Sequence, residues 1–321
     1  PAGGLGRYRR TFPLPPGTPW LGLGEGGSPL VAAVIDGRRV HFKCEFTNPT
    51  GSFKDRGSAV LAHALRAAGV SEVVEDSSGN AGASMAAYAA RLGIRARVFV
   101  PDSASPIKLA QIQAYGAQIV RVMGPRSNAA KAVQREAAAG AVYASHAHLP
   151  HVLAGMATVA FELCQDLGEA PGSLVVPVGQ GSLLLGLSLG FEALKAAGAI
   201  EVIPRLIGVQ ASACAPIWAV AHGGAASLSW VGEGETAAEG IRIRNPLRGD
   251  SVLAAVEASG GWMDAVEETE IADGRSALAR LGFWIEPTSA VVWPALRRGG
   301  ERLADPVVAV LTGSGYKHLQ S

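Results

Sequence analysis

Short apolar stretches alternate with longer alanine-rich ones along most of this chain. The short stretches are rich in Val and Ile and are bounded by glycine, proline or polar residues, a pattern that predicts β-strands. The predicted strands span residues 71–76, 95–100, 117–122, 173–178, 205–210 and 305–311.

The longer stretches predict helices over residues 54–68, 81–92 and 106–115. Each is followed by a glycine, the residue that favours the left-handed turn at a helix C-terminus. Strands that alternate with helices are typical of parallel βαβ units, so the predicted fold class is α/β. Residues 223–250, rich in glycine and charge, predict a long surface loop.

Composition and charge exclude several classes of protein, among them nucleic-acid-binding and membrane-spanning proteins. With 321 residues, of which 48% are hydrophobic and 17% charged, the chain can form one large or two modest soluble domains. A net charge of +1, with arginines scattered along the chain, predicts no nucleic-acid partner. No apolar run reaches the roughly 18 residues that a membrane helix needs, so no membrane partner is expected. Three widely spaced cysteines indicate neither disulfides nor a metal site, which fits a cytoplasmic protein.

Two junctions between a strand and a helix carry sequences suited to anions, which collect at the carboxyl ends of strands in α/β sheets. "DSSGNAGAS", residues 76–84, suits a carboxylate or phosphate, although an ordinary helix cap explains it equally well. "VPVGQGSLLLG", residues 176–186, places two glycines and a serine around a possible phosphate. Leu184 stands where a dinucleotide fingerprint has its third glycine, and the GK[ST] of a P-loop is absent, so we do not expect NAD or a P-loop nucleotide.

Two further stretches complete the candidate chemistry. "VLTGSGYK", residues 310–317, follows the last strand and offers the hydroxyls of Thr312 and Ser314, although glycine-rich turns after a terminal strand are common. "NPTGSFKDRG", residues 48–57, places Lys54 at a helix start. A phosphate loop, a lysine suited to imine chemistry and a carboxylate-binding loop together indicate pyridoxal 5'-phosphate (PLP) and a small amino acid substrate.

These stretches, in this order, resemble fold-type II PLP enzymes, most of all threonine synthases. "GGLGRYRR", "LGEGGSPLV", "NPTGSFKDRG", "SSGNAGAS", "VPVGQGSLL", "EPTSA" and "LTGSGYK" carry the resemblance nearly from end to end. It implies two open twisted α/β domains of the tryptophan synthase beta-like architecture, with the cofactor between them. It also implies a large domain of residues 1–45 plus 146–321 that binds the cofactor phosphate, a small mobile domain of residues 46–145, and a homodimer.

The resemblance also implies the site residues. Lys54 would be the Schiff-base lysine and catalytic base, with Phe53 beside the cofactor ring. The other implied cofactor contacts are Asn80 at the ring hydroxyl, Gly179, Gln180, Gly181, Ser182 and Leu183 at the phosphate, and Thr312 or Ser314 at the pyridine nitrogen. The implied substrate contacts are Ser77, Ser78, Gly79, Asn80, Ala81, Ser84 and His151. Because a hydroxyl carries no charge to hold a pyridinium proton, Thr312 is expected to favour elimination and replacement over transamination.

One stretch departs from the threonine synthase pattern. That family typically holds the phosphate of phosphohomoserine with an Arg and a Lys in a motif resembling NPxRxEGxKT. In the matching "LPHVLAGMAT", Val152 replaces the Arg, Ala154 the acid and Ala157 the Lys. Two lost charge-assisted contacts, at roughly 1.5 to 3 kcal/mol each, predict a PLP-dependent lyase with a different substrate.

Several alternatives stay open at this stage. His146, His148 and His151 could supply positive charge or an acid for a leaving group, or could be solvated loop residues. The chain could be a serine or threonine dehydratase, an ammonia-lyase with a hydroxyl leaving group, or a true threonine synthase with another phosphate site. A non-catalytic binding protein of the same fold and a nucleotide-binding α/β protein are the rivals from other classes.

Overall fold

A computed structural model describes residues 4–104, 106–124 and 126–318. No helix in those ranges is long and apolar enough to cross a membrane. The strands are β1 (Leu30–Ile35), β2 (Arg38–Cys44), β3 (Glu72–Glu75), β4 (Arg95–Pro101), β5 (Gln118–Val122), β6 (Val142–Tyr143), β7 (Ser173–Pro177), β8 (Arg205–Ala211), β9 (Trp262–Val266) and β10 (Val307–Leu311). The helices are α1 (Lys54–Ala67), α2 (Asn80–Arg91), α3 (Pro106–Ala114), α4 (Arg126–Ala138), α5 (His151–Leu167), α6 (Ser182–Ala196), α7 (Pro216–Gly223), α8 (Gly249–Ala258), α9 (Glu268–Arg280), α10 (Pro287–Ala290) and α11 (Val292–Gly299).

The chain divides into two compact units. The first comprises Pro1–Gly27 and Asn48–Gly155. Its sheet has the order β5-β4-β3-β6, and all three pairings are parallel. Because parallel strands end at the same edge, the loops that follow β3 and β6 leave the sheet side by side.

The N-terminal segment belongs to this first unit, whereas the predicted division gave residues 1–45 to the other one. Leu5 and Phe12 pack into the core that contains Val60 and Tyr88. The Tyr88 hydroxyl also donates a hydrogen bond of 2.8 Å to Glu25. These contacts join positions far apart in the sequence and group the N-terminal segment with the first unit, which differs from the division that the resemblance implied.

The second unit comprises Ser28–Thr47 and Met156–Ser321. Its sheet has the order β1-β2-β10-β7-β8-β9. All pairings are parallel except the hairpin of β1 and β2 at one edge. Every residue of β7 and β10 is buried, as expected for central strands covered on both faces. Their carboxyl ends lie side by side and carry the glycine-rich loops.

Most predicted elements are confirmed. All six predicted strands form, and the three predicted helices end within two residues of the expected positions. Gly69, Gly93 and Gly116 have φ values of +77°, +68° and +80°, as a left-handed helix end requires. The predicted loop over residues 223–250 holds only short 3-10 turns between the end of α7 and the start of α8.

Candidate active site

Lys54 begins α1, directly after Phe53. Its Nζ lies 3.9 Å from the centroid of the Phe53 ring, so its charge faces an aromatic surface. The next residue, Asp55, is fully buried. It accepts hydrogen bonds from the Thr50 amide at 2.7 Å and from the Thr50 hydroxyl at 2.6 Å. Asp55 therefore fixes the loop that leads to Lys54.

Ser84 also bonds to Asp55, which corrects its predicted role as a substrate contact. Its side chain is fully buried, and Oγ donates a 2.6 Å hydrogen bond to Asp55 Oδ1. Ser84 lies one turn inside α2 rather than at the open end of the helix. Its hydroxyl instead ties α2 to α1, and so ties the loop before Asn80 to the start of the helix that carries Lys54.

The predicted carboxylate loop joins β3 to α2. Gly79 precedes the helix with φ −105° and ψ −149° and, as a glycine, provides no side-chain cap for the first turn. The N–H groups of such a turn have no acceptor within the helix. Ser77 is buried, while Ser78, Gly79 and Asn80 have accessible surface. This arrangement suits a carboxylate in the way that the sequence predicted.

The three histidines near residue 150 have different surroundings, and all belong to the first unit. His148 is exposed, with its ring centroid 5.8 Å from that of Tyr143. His151 begins α5, and its buried Nδ1 has no hydrogen-bond partner among the described residues. His146 places Nδ1 3.7 Å from Oε1 of Glu75. Of the three, His146 is therefore the one that faces a buried acid in the described part of the chain.

Glu75 ends β3, immediately before the carboxylate loop, and is 1% exposed. Burial raises the pKa of its carboxyl group well above the usual value, and the neighbouring charge of Asp76 adds to this effect. The charges of Arg126 and Lys54 act in the opposite direction. Burial is the largest of these effects, so the Glu75 carboxyl group binds its proton more tightly than an ordinary glutamate does.

In the second unit, the loop from Val178 to Gly181 joins β7 to α6. Gly181 precedes the helix with φ +84°, and a Cβ there would lie 2.2 Å from a methyl group of Val252. A Cβ at Gly179 would lie 3.1 Å from the backbone of Gly240 and Ile241. Glycine is therefore required by backbone conformation at one position and favoured by close packing at the other.

Residues from the predicted surface loop secure this cradle. The Leu247 amide donates a 3.0 Å hydrogen bond to Oε1 of Gln180. Arg248 Nη1 donates a 3.1 Å bond to the Ser182 hydroxyl at the first turn of α6. Partial burial lowers the pKa of the Arg248 guanidinium, but the group stays cationic at neutral pH. The cradle thus combines helix amides, a hydroxyl and a cation, which suits a phosphate.

Thr312 follows β10 and is 1% exposed. Its hydroxyl donates a 3.2 Å hydrogen bond to Oε1 of Glu286 and lies 3.0 Å from the Ser289 hydroxyl. Ser289 accepts hydrogen bonds from the amides of Thr312 and Gly313. The sequence suggested that Thr312 is an isolated hydroxyl. In the structure it is instead hydrogen-bonded to an acidic side chain, that of Glu286.

The neighbouring glycine is explained by the same acid. A Cβ at Gly313 would lie 2.2 to 2.4 Å from the carboxyl group of Glu286. Ser314, the alternative to Thr312, is 7% exposed, and its Oγ accepts a 3.3 Å hydrogen bond from the Tyr316 amide. Thr312, with its organised network, is the better placed of the two hydroxyls to accept a further hydrogen bond.

Three side chains of these two sites were not assigned a role from sequence. Glu75 reads as the polar end of a strand, and Arg248 lies in what reads as a surface loop. Glu286 stands in "EPTSA", a stretch that carries the resemblance but gives no sign that the acid contacts Thr312. An acid at the carboxyl end of a strand, beside a candidate anion loop, was the available signal for Glu75.

Comparison with known proteins agrees with this chemistry. Residues 21–313 match the family described as "Pyridoxal-phosphate dependent enzyme". Threonine synthase from Methanocaldococcus jannaschii is 33% identical over 98% of this chain and 80% of its own length. Threonine synthase from Bacillus sp. (strain ULM1) is 36% identical over 98% and 89%.

Solved structures show the same fold. A threonine deaminase from T.th. has a TM-score of 0.73 and 26% identity, covering 89% of this chain and 92% of that one. Maize serine racemase has a TM-score of 0.73 and 24% identity, covering 90% and 88%. The second likeness shows the fold alone.

The residues present fit the cofactor of this family. The α6 cradle has glycines at positions 179 and 181 where a side chain would meet close neighbours, the amides of a helix start and a guanidinium, which together suit a phosphate monoester. Lys54, next to the loop that buried Asp55 anchors in the first unit, is the candidate amine. With the family match over most of its length, the chain belongs to the fold-type II pyridoxal-phosphate dependent enzymes, and its cofactor is pyridoxal 5'-phosphate.

Proposed function

We propose that this chain is a PLP-dependent lyase that removes or replaces a side-chain substituent of a small amino acid, and that its preferred substrate is not a phosphate ester. The bound cofactor supplies an electron-withdrawing ring that acidifies the substrate Cα–H bond. The protein then has to hold the substrate carboxylate, move the Cα proton and assist the leaving group.

Lys54 is the residue proposed to move the Cα proton. A lysine amine with its ordinary pKa near 10.4 is protonated and a poor base, so desolvation is needed for it to act. Lys54 is half-buried, the Phe53 ring at 3.9 Å excludes water from one side of its amine, and the loop anchored by Asp55 holds its backbone. Ser77, Ser78 and the first amides of α2 would hold the carboxylate, and Asn80 would contact the cofactor ring.

The observation that carries the substrate assignment is the environment of Val152. This side chain is 1% exposed and packs in the core of the first unit with Leu5 and Val60. Ala154 packs against the same core, and Ala157 is 9% exposed. Apolar packing thus occupies the positions where the threonine synthase pattern has its phosphate-binding Arg and Lys.

A dehydratase-type ammonia-lyase is the second candidate. It needs a hydroxyl leaving group and an acid, and Glu75 beside His146 supplies a buried acid next to the carboxylate loop. The 26% identical relative of known structure bears the name threonine deaminase, which also favours this reaction. Ammonia and a 2-oxo acid would be its products.

The test is the visible spectrum of the purified, PLP-supplied protein with added phosphohomoserine, serine, threonine or phosphoserine, together with product analysis. We expect a spectral change and turnover with a hydroxyl amino acid, and loss of both in Lys54→Ala. Lys195→Ala, an exposed lysine of α6, serves as the matched control and should behave as the unchanged protein.

Two results would contradict the proposal at different levels. Efficient turnover of phosphohomoserine would refute the substrate assignment while leaving the cofactor assignment intact. Protein that stays colourless after PLP is supplied would refute the roles given to Lys54 and to the α6 cradle together.

A further inference from the structure

The buried acid Glu75 is the feature that the proposed chemistry leaves unexplained. Both of its carboxyl oxygens are inaccessible to solvent, and neither has a hydrogen-bond partner among the described residues. Burying a polar group without a partner is costly, so an acid at such a position calls for a specific role. Glu75 lies two residues before Ser77, at the start of the carboxylate loop.

The neighbour of Glu75 with a titratable ring is His146. Its Nδ1 lies 3.7 Å from Glu75 Oε1, and its side chain is 20% exposed, whereas Glu75 is 1% exposed. Tyr143, on the adjacent strand, directs its hydroxyl to Asp76 at 2.8 Å. The imidazole of His146 is therefore more accessible to solvent than the buried carboxyl group of Glu75 beside it.

We propose that Glu75 and His146 act as a coupled acid that gives a proton to the oxygen leaving group of the substrate side chain. This inference rests on the proposed function and assigns the group that assists bond cleavage. His146 would be the residue that touches substrate, through Nε2, and Glu75 would act through the imidazole as a positioning and proton-storing residue.

The proposed step balances as follows. The C–O bond breaks, and its electron pair stays on the departing oxygen. That oxygen takes the proton from Nε2 of His146, while Nδ1 closes from 3.7 Å to hydrogen-bond distance and takes the proton of the Glu75 carboxyl group. Glu75 is left as a carboxylate and His146 as the other neutral tautomer. A proton from water restores the pair after the products leave.

The charges around Glu75 support this timing. Burial and Asp76 favour the protonated acid, whereas positive charge on Arg126 or Lys54 favours the carboxylate. Lys54 becomes positively charged when it takes the Cα proton. Glu75 therefore becomes a stronger acid at the stage when the leaving group needs its proton.

Glu75→Gln tests the pair because it keeps the shape and removes the acid. Glu72→Gln is the matched control, since Glu72 lies at the other end of β3 and pairs with Arg95. The measurements are exchange of the substrate Cα proton in D2O, which reports on Lys54, and release of the leaving group.

We expect Glu75→Gln to keep Cα exchange with serine and to slow water release by about 10²-fold or more. Elimination from β-chloroalanine should be little changed, because chloride leaves without a proton. Equal slowing with both substrates, or equal effects of Glu72→Gln, would overturn the proposal and indicate a structural role.

If no amino acid undergoes Cα exchange in the unchanged protein, the proposed function is refuted. A second measurement tests the coupling of Glu75 and His146 even in that case. NMR titration of His146 compares the unchanged protein with Glu75→Gln. The ring signals of His146 should show a second titration step in the unchanged protein, that of the Glu75 carboxyl group, and Glu75→Gln should remove it. Absence of that step from the unchanged protein would show that the two groups are not coupled and would overturn the inference.

Discussion

Asp55→Asn is predicted to weaken the first unit and the setting of Lys54. Asp55 is fully buried, and the bonds it accepts include those of 2.7 Å and 2.6 Å from Thr50 and of 2.6 Å from Ser84. Asparagine keeps the shape but has one acceptor oxygen and places an NH2 group against buried donors.

The magnitude follows from these three bonds. One donor left without an acceptor costs about 1–3 kcal/mol, and loss of charge assistance in the other two costs about 1 kcal/mol each. We therefore expect the free energy of unfolding of this region to fall by about 3–5 kcal/mol. Since a typical domain has only about 5–15 kcal/mol, α1 should open far more often.

Hydrogen exchange of the α1 amides, followed by mass spectrometry, measures this local opening. Asp102→Asn is the matched control, because Asp102 is exposed and accepts a 3.1 Å bond from the Gly124 amide. The double variant Asp55→Asn, Ser84→Ala should cost less than the sum of the single changes, because both changes disrupt the same Ser84–Asp55 hydrogen bond. A loss below about 1 kcal/mol in Asp55→Asn would refute the reasoning.

Four further outcomes are expected. Lys43→Met leaves Glu162 and Asp166 without the buried lysine that they pair with. It should lower the free energy of unfolding of the second unit by about 3–5 kcal/mol, measured by urea titration. Arg248→Gln should weaken PLP binding by about 10–100-fold in equilibrium dialysis, through loss of a charged phosphate contact. Gly181→Ala should cost at least about 1–2 kcal/mol, measured by urea unfolding, because its φ is +84°. Burial raises the folded-state pKa of Glu75 above 4.5, so the folded protein binds this proton more tightly than the unfolded chain does. The free energy of unfolding of the unchanged protein, relative to that of Glu75→Gln, should therefore fall as pH rises from 4.5 through the folded-state pKa. Unfolding titrations at a series of pH values measure this difference.

Local sequence pattern was enough for six strands and for the three helices α1, α2 and α3. It missed the β1–β2 hairpin, although the Asp36-Gly37 pair, with φ values of +48° and +84°, is a recognised hairpin turn signal. It also missed β6, because two residues give no periodicity. The placement of residues 1–27 depends on contacts distant in sequence, which no local pattern contains.

The candidate site shows the same limit. Motifs indicated Lys54, the carboxylate loop and the phosphate cradle as candidates because each is continuous in sequence. The acid behind Thr312 and the cation beside Ser182 come from segments 26 and 66 residues away. Such contacts depend on strand order and loop packing, so only the structure could reveal them.

The packing of Gly313 against Glu286 determines the order in which these two positions could change during evolution. A side chain at position 313 would occupy the space of the carboxyl group, so alanine there requires a shorter residue at position 286 first. The reverse order passes through an overlapping intermediate. A lineage that alters the acid behind Thr312 therefore gains freedom at the neighbouring glycine, whereas one that keeps the acid does not.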